Sequence, residues 1–93
     1  MGKIKVIFPS VLTDVTKGQK TVEVSASTLN EAINRLVDLY GDPFKGKIFD
    51  STGRLKRFLS FYVNGKNILH LKGLETPLND NDEVSLLIAI AGG

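Results

Sequence analysis

The residue types that could do chemistry are quickly enumerated. The chain has 93 residues, no cysteine and a single histidine, His70. That excludes a disulfide framework, a thiolate-ligated zinc site and a thiol nucleophile. One histidine cannot supply a histidine-based metal site or a robust nucleophile–histidine relay. No GxxxxGK[ST] loop is present to cradle a phosphate. Asn79-Asp80-Asn81-Asp82 lacks the twelve-residue frame and terminal glutamate of a calcium loop and reads as a turn. What remains is the end of the chain, Gly92-Gly93. Glycine has no side chain, so two terminal glycines can thread a narrow channel in another protein. Extended, Ala89 to Gly93 would reach about 16 Å. A terminal carboxylate ordinarily titrates at about pH 3.5, so that of Gly93 is ionised and unreactive at neutral pH until another enzyme activates it. Nothing in this chain can do that. It reads as a protein substrate carrying its own reactive end, with no catalytic residue, no metal and no bound cofactor.

A terminus of this kind has to be carried by a folded body. Lys3 to Phe8 alternates, with Ile4 and Val6 toward a core, and Pro9 ends the run. After a turn at Lys17-Gly18-Gln19, Lys20 to Ser25 alternates again, with Val22 and Val24 inward, so the two runs form a hairpin. Leu29, Ala32, Ile33, Leu36, Val37 and Tyr40 then fall on one helical stripe. Thr28 and Glu31 have capping-box spacing, while Gly41 and Pro43 stop the helix. The spacing predicts a helix from Leu29 to Tyr40. In the irregular stretch from Asp42 to Arg57, Asp42 before Pro43 is expected to cap a single helical turn. Phe44, Ile48 and Phe49 tack this stretch to the core. Phe58 to Val63, the turn Asn64-Gly65 and Lys66 to Leu69 make a second hairpin, with His70 a surface strand residue. Lys72-Gly73 is a further turn, and Glu83 to Ile90 is the final strand.

One striped helix must bury its face against the sheet. The first and last strands are natural parallel neighbours with the helix in their connection. The expected fold is α+β, a β-grasp: a mixed sheet of about five strands with one main helix on one face. Residues 1–93 form a single domain, with a flexible tail over 90–93. The expected core is Ile4, Val6, Val22, Val24, Leu29, Ile33, Leu36, Val37, Val63, Val84 and Leu86.

The stretches FPSVLTDVTKGQKTVEV, TLNEAINRLVDLYG, GRLKRFLSFYVNGKNI and NDNDEVSLLIAIAGG together resemble the ubiquitin-like sulfur carriers of the ThiS and MoaD families, most closely the CysO-type carriers. The segment from Asp42 to Arg57 is longer than in typical ThiS proteins. The resemblance implies that an E1-like adenylating enzyme (MoeB/ThiF-like) uses ATP to adenylate Gly93, and that sulfur transfer makes a thiocarboxylate. A sulfur acceptor enzyme then takes the atom. It would be a cysteine synthase for the CysO type, or the large subunit of molybdopterin synthase for the MoaD type. In such folds the sheet face opposite the helix docks partners. Tyr62 and Leu87 should project there, bordered by Lys5 and Ile7.

Other readings start from the same residues. A ubiquitin-like modifier would be joined through Gly93 to lysines of other proteins, and an interaction module would carry its glycines incidentally. Arg54-Leu55-Lys56-Arg57 is either a solvated loop or a patch that steers an acidic partner. Twelve basic against ten acidic residues, a net charge of +2, is too small an excess to argue for nucleic acid. No apolar run approaches the roughly 20 residues that span a bilayer, and MGKIKVIF lacks the long apolar region of a secretory leader. A cytoplasmic protein, monomeric when free, is expected.

Overall fold

The first alternating run pairs with the second as expected. Strand β1 (Gly2–Ile7) is antiparallel to β2 (Thr21–Ala26), with Ile4 opposite Val24 and Val6 opposite Val22. The computed structural model describes residues 2–88, so the expectations for the tail and for Gly92 and Gly93 fall outside the described residues. Helix α1 (Leu29–Tyr40) has the bounds its stripe predicts. Its cap is a variant of the expected box. The Glu31 backbone N–H donates to Thr28 Oγ1 at 3.2 Å, while the Glu31 carboxylate accepts from the backbone N–H of Ser27, one residue earlier than the usual box. Gly41 ends α1 at φ 79°, where a Cβ would be strained, and its N–H donates to the Val37 carbonyl at 2.7 Å.

Helix α2 (Asp42–Ile48) follows at once. The expected single turn capped by Asp42 is corrected here: Asp42 lies inside the first turn, makes no cap, and the helix runs for seven residues. The reason is burial. Phe44 and Ile48 stand one helical turn apart, and both are fully buried. Strand β3 (Leu59–Val63) turns through Asn64-Gly65, both at positive φ, into β4 (Lys66–Asn67). The expected strand to Leu69 is cut short because Asn67 Oδ1 accepts from the Leu69 N–H, bending Ile68–His70 into a 3₁₀ turn. His70 is therefore an exposed turn residue and not a strand residue. Strand β5 (Glu83–Ile88) closes the sheet.

The strand order is β2-β1-β5-β3-β4, with β5 parallel to β1 and antiparallel to β3. This is the expected mixed β-grasp sheet, with β5 at its centre and a second, shorter helix beside the main one. Eight of the eleven expected core residues are buried. Val22, Val24 and Val37 are only half-buried. The two β2 valines sit on an edge strand, and Val37 at the margin of the α1 stripe, so no neighbour covers their outer sides.

Residues outside the expected list complete the core. Leu12 plugs the β1–β2 connection at 1% exposure, and Phe61 packs from β3 into the core at 1% exposure. Phe8, Tyr40 and Phe44 form an aromatic trio with ring centroids 5.5 to 5.9 Å apart, fastening the end of β1 to both helices. The Tyr40 hydroxyl donates to Gln19 Oε1 at 2.6 Å, and its burial pushes the phenol pKa up.

Candidate functional site

Alternation along the strands sets the chemistry of the open face. Leu59, Phe61 and Val63 point into the core, so Ser60 and Tyr62 point away. Val84 and Leu86 point in, so Ser85 and Leu87 point away. The register then brings the expected residues together. Ile7 lies opposite Ser85, Ser85 opposite Tyr62, and Leu87 opposite Ser60. Lys5 lies opposite Glu83, two residues back along the same face. Ile7 and Tyr62 are half-buried, Lys5 is exposed, and Leu87 is 51% exposed. All four expected surface residues share one face, the one turned away from the buried side chains of β3 and β5.

The near end of this face is fixed by a polar latch. Asn64 Nδ2 donates to Asp82 Oδ1 at 2.9 Å, and the Glu83 N–H donates to Asn64 Oδ1 at 2.9 Å. The Asn79 N–H donates to Asp82 Oδ2. The Lys3 N–H donates to Asp80 Oδ1 at 2.8 Å, and the Asn81 N–H to the Lys3 carbonyl. The acidic turn is thus a hydrogen-bonded clasp that sets the start of β5, in keeping with its reading as a turn. No group of acidic residues and His70 could hold a metal ion among the described residues. His70 lines a groove of about 600 Å³ with Lys66, Lys72 and Asp82 beside the β3–β4 hairpin, at the opposite end from the chain's exit.

The far end of the face is where β5 delivers the chain. Ile88 pairs with Leu59, so the tail leaves from the central strand beside the start of β3. The basic run lies just ahead of that point, and it is ordered. Asp50 Oδ1 accepts from the Thr52 hydroxyl at 2.6 Å, the Thr52 N–H at 2.8 Å and the Arg54 N–H at 3.1 Å. The Thr52 hydroxyl, then the backbone N–H groups of Arg54 and Thr52, hold the Asp50 carboxyl below the usual range. Phe49 bridges to Leu55, and both pack on the core, leaving Arg54 and Arg57 exposed. Sequence reasoning missed that Phe58, which it assigned to the strand, precedes β3 and stays 41% exposed. No helix is long and apolar enough to cross a membrane among the described residues.

The arrangement offers an open sheet face carrying Tyr62, Leu87, Ile7 and Lys5, and a central strand whose last described residue is Ile88. The ThiS family model matches residues 6–93. The chain is 37% identical over 92 residues to the sulfur carrier protein CysO of Mycobacterium tuberculosis, covering 97% of this chain and 98% of that protein. Its fold matches the structure of the Amycolatopsis orientalis BexX/CysO complex with a TM-score of 0.86 and 31% identity, covering 97% of this chain and 99% of that one. It also matches the small archaeal modifier protein 1 of Methanosarcina acetivorans, with a TM-score of 0.84 and 31% identity, covering 100% of this chain and 98% of that one.

Proposed function

The chain belongs to the ThiS family, and from that premise we propose that it is a sulfur carrier whose working group is the C-terminal carboxylate of Gly93. An adenylating enzyme brings the carboxylate to ATP. A carboxylate oxygen attacks the α-phosphate, pyrophosphate leaves, and the mixed anhydride with AMP makes the carbonyl carbon electrophilic. A sulfide-level donor adds there and AMP departs, leaving a thiocarboxylate. The carrier then docks on an acceptor enzyme, where the thiocarboxylate sulfur bonds to the bound substrate as that substrate's activating group leaves; hydrolysis of the resulting acyl link leaves the sulfur on the product and returns the Gly93 carboxylate. For a CysO-type carrier that substrate is an activated serine derivative, and the product leads to cysteine.

The chain's own contribution is positional. Burial of the α1 stripe makes a body that docks as one unit, and β5 starts the tail from the centre of the sheet. Gly92 and Gly93 present no side chain to a channel wall. Tyr62, Leu87, Ile7 and Lys5 are the proposed docking face, because apolar side chains there gain less from folding than those of the core and aromatics favour interface centres.

The observation that carries this reading is the similarity to a sulfur carrier over nearly the whole of both chains. It is tested by intact-mass measurement of the protein isolated from its native host. A carrier shows a fraction heavier by the difference between sulfur and oxygen, which an alkylating agent shifts to a higher mass by capping the thiocarboxylate sulfur. The similarity to an archaeal modifier supports a second reading, in which the adenylated Gly93 meets a lysine amine instead. In that case the same preparation contains other proteins bearing this chain on lysine. Finding neither species under sulfur-limited growth would remove both readings.

A further inference from the structure

We infer that Arg54, Lys56, Arg57 and Phe58 form a second docking element, seating in an acidic rim with an apolar notch around the tail-accepting channel of the activating enzyme. The inference rests on the carrier reading and states what the surface of that partner must present.

Position comes first. Leu59 pairs with Ile88, the last described residue of β5. Phe58 and Arg57 immediately precede Leu59, so they stand at the edge of the sheet from which the chain continues toward Gly93. A channel that takes up the tail brings its mouth against them. Its wall meets whatever these residues display.

Charge comes second. Three of the four residues from Arg54 to Arg57 are cationic. The nearest carboxylate in sequence, Asp50, is occupied by three hydrogen bonds within its own turn. The one salt bridge found among the described residues joins Arg35 to Asp38, on α1. Asp50 draws on Arg54 electrostatically without forming a salt bridge, which leaves Lys56 and Arg57, and part of the Arg54 field, for a partner.

Shape comes third. The run is held at both ends: the Asp50 N–H donates to the Arg54 carbonyl at 2.8 Å, the Lys56 N–H to the Ile48 carbonyl at 2.9 Å, and the Leu59 N–H to the Lys56 carbonyl at 3.1 Å. A preformed loop loses little freedom on docking. Phe58 is exposed, and Lys56 Nζ lies 5.8 Å from its ring centroid. A shallow cleft is bounded by Asp50, Lys56, Arg57 and Phe58. An aromatic ring flanked by cations is complementary to an apolar notch bordered by carboxylates, which steers encounter and sets register. The open face and this patch meet at Ile88, the last described residue of β5, so together they would fix the body on two sides of the channel mouth.

The test is ATP–pyrophosphate exchange by the adenylating enzyme of the same host, with the full-length chain as varied substrate. R54E/K56E/R57E is expected to raise the KM for the carrier about tenfold or more at low salt, with kcat unchanged. The wild-type KM rises with salt, the variant's does not, and the two converge near 1 M, where the screening length is about 3 Å. Phe58→Ser raises KM equally at all salt concentrations. Thermal melting by circular dichroism checks the fold. If the charge reversal unfolds the chain, R54Q/K56Q/R57Q gives the same flattening of the salt dependence with a smaller KM change. Exchange with the wild type, together with an unchanged KM and salt slope in the folded variant, overturns the patch and leaves the carrier reading standing. No exchange with the wild type overturns both. Saturable binding of a single-stranded oligonucleotide, lost in the variant while KM is unchanged, reassigns the patch to nucleic acid and overturns the inference.

Discussion

On β5, Val84 and Leu86 are each 1% exposed, while Leu87, the next residue along, is 51% exposed. The same contrast runs across the sheet. Phe61 is 1% exposed in the core, and its neighbour Tyr62 is half-buried on the other side. Both faces come from the same strands, hydrogen-bonded in the same register, so backbone pairing cannot distinguish them. Only the covering layer does. On the helix side an apolar side chain is removed from water by folding, and stability holds it there. On the open side folding removes much less, so an apolar side chain there needs a different account, and a partner is the account proposed above. The comparison teaches that in a two-layer domain of this size stability and recognition are allotted by parity, one residue apart.

The largest expected effect breaks neither face. Deleting Gly93 leaves the sheet intact but ends the chain one residue, about 3.5 Å, short. Pyrophosphate exchange and thiocarboxylate formation should fall to background, with an unchanged melting curve. Normal adenylation of the shortened chain would remove the terminus from the account. On the covered face, Leu36→Ala should cost about 2–5 kcal/mol in chemical denaturation, a large share of a small domain's stability. A shift too small to measure would show that α1 is not the seal.

On the open face, Leu87→Asp and Tyr62→Ala should each leave the melting midpoint nearly unchanged and weaken partner binding by about 1–3 kcal/mol in calorimetric titration. Unchanged affinity for both the activating and the acceptor enzyme would reduce the two faces to core and plain surface. The smallest effect concerns the loop beside the tail. Asp50 has a lowered pKa in the fold, so its contribution to loop order is present above the unfolded carboxylate pKa and is lost as pH falls through the lower folded value. Protection of the Thr52 and Arg54 amides, relative to their intrinsic exchange rates, should be lost below that range in the wild type and be absent at every pH in Asp50→Ala. Strand amides should not change. Equal protection of Thr52 and Arg54 in the variant would show that the loop is held without the carboxylate.

Much of this architecture is encoded locally. The α1 stripe, the Thr28 cap and the Gly41 stop are short-range features, each readable within a few residues, and the helix bounds follow from them. Strand alternation likewise announces which side chains share a face, so Tyr62, Leu87, Ile7 and Lys5 group together before any pairing is known. The chemistry of the terminus is also a property of the sequence, because it follows from which residue types are absent and from two glycines at the end of the chain.

Three features needed the assembled fold. Helix α2 contains Gly46 and follows directly on a helix stop, so local propensity favours only a turn there. Burial of Phe44 and Ile48 against Phe8 and α1 extends it. Strand β4 stops at Asn67 because a side-chain hydrogen bond competes with the ladder, a choice that β-propensity does not register. The placement of Arg54–Phe58 beside the exit of β5 is the most consequential. These residues lie some thirty positions from Ile88 in sequence and become neighbours through the antiparallel pairing of β3 with β5. Propensity and periodicity act over a few residues, whereas pairing across the sheet is decided by the packing of the whole domain, and that packing decides what surrounds the tail.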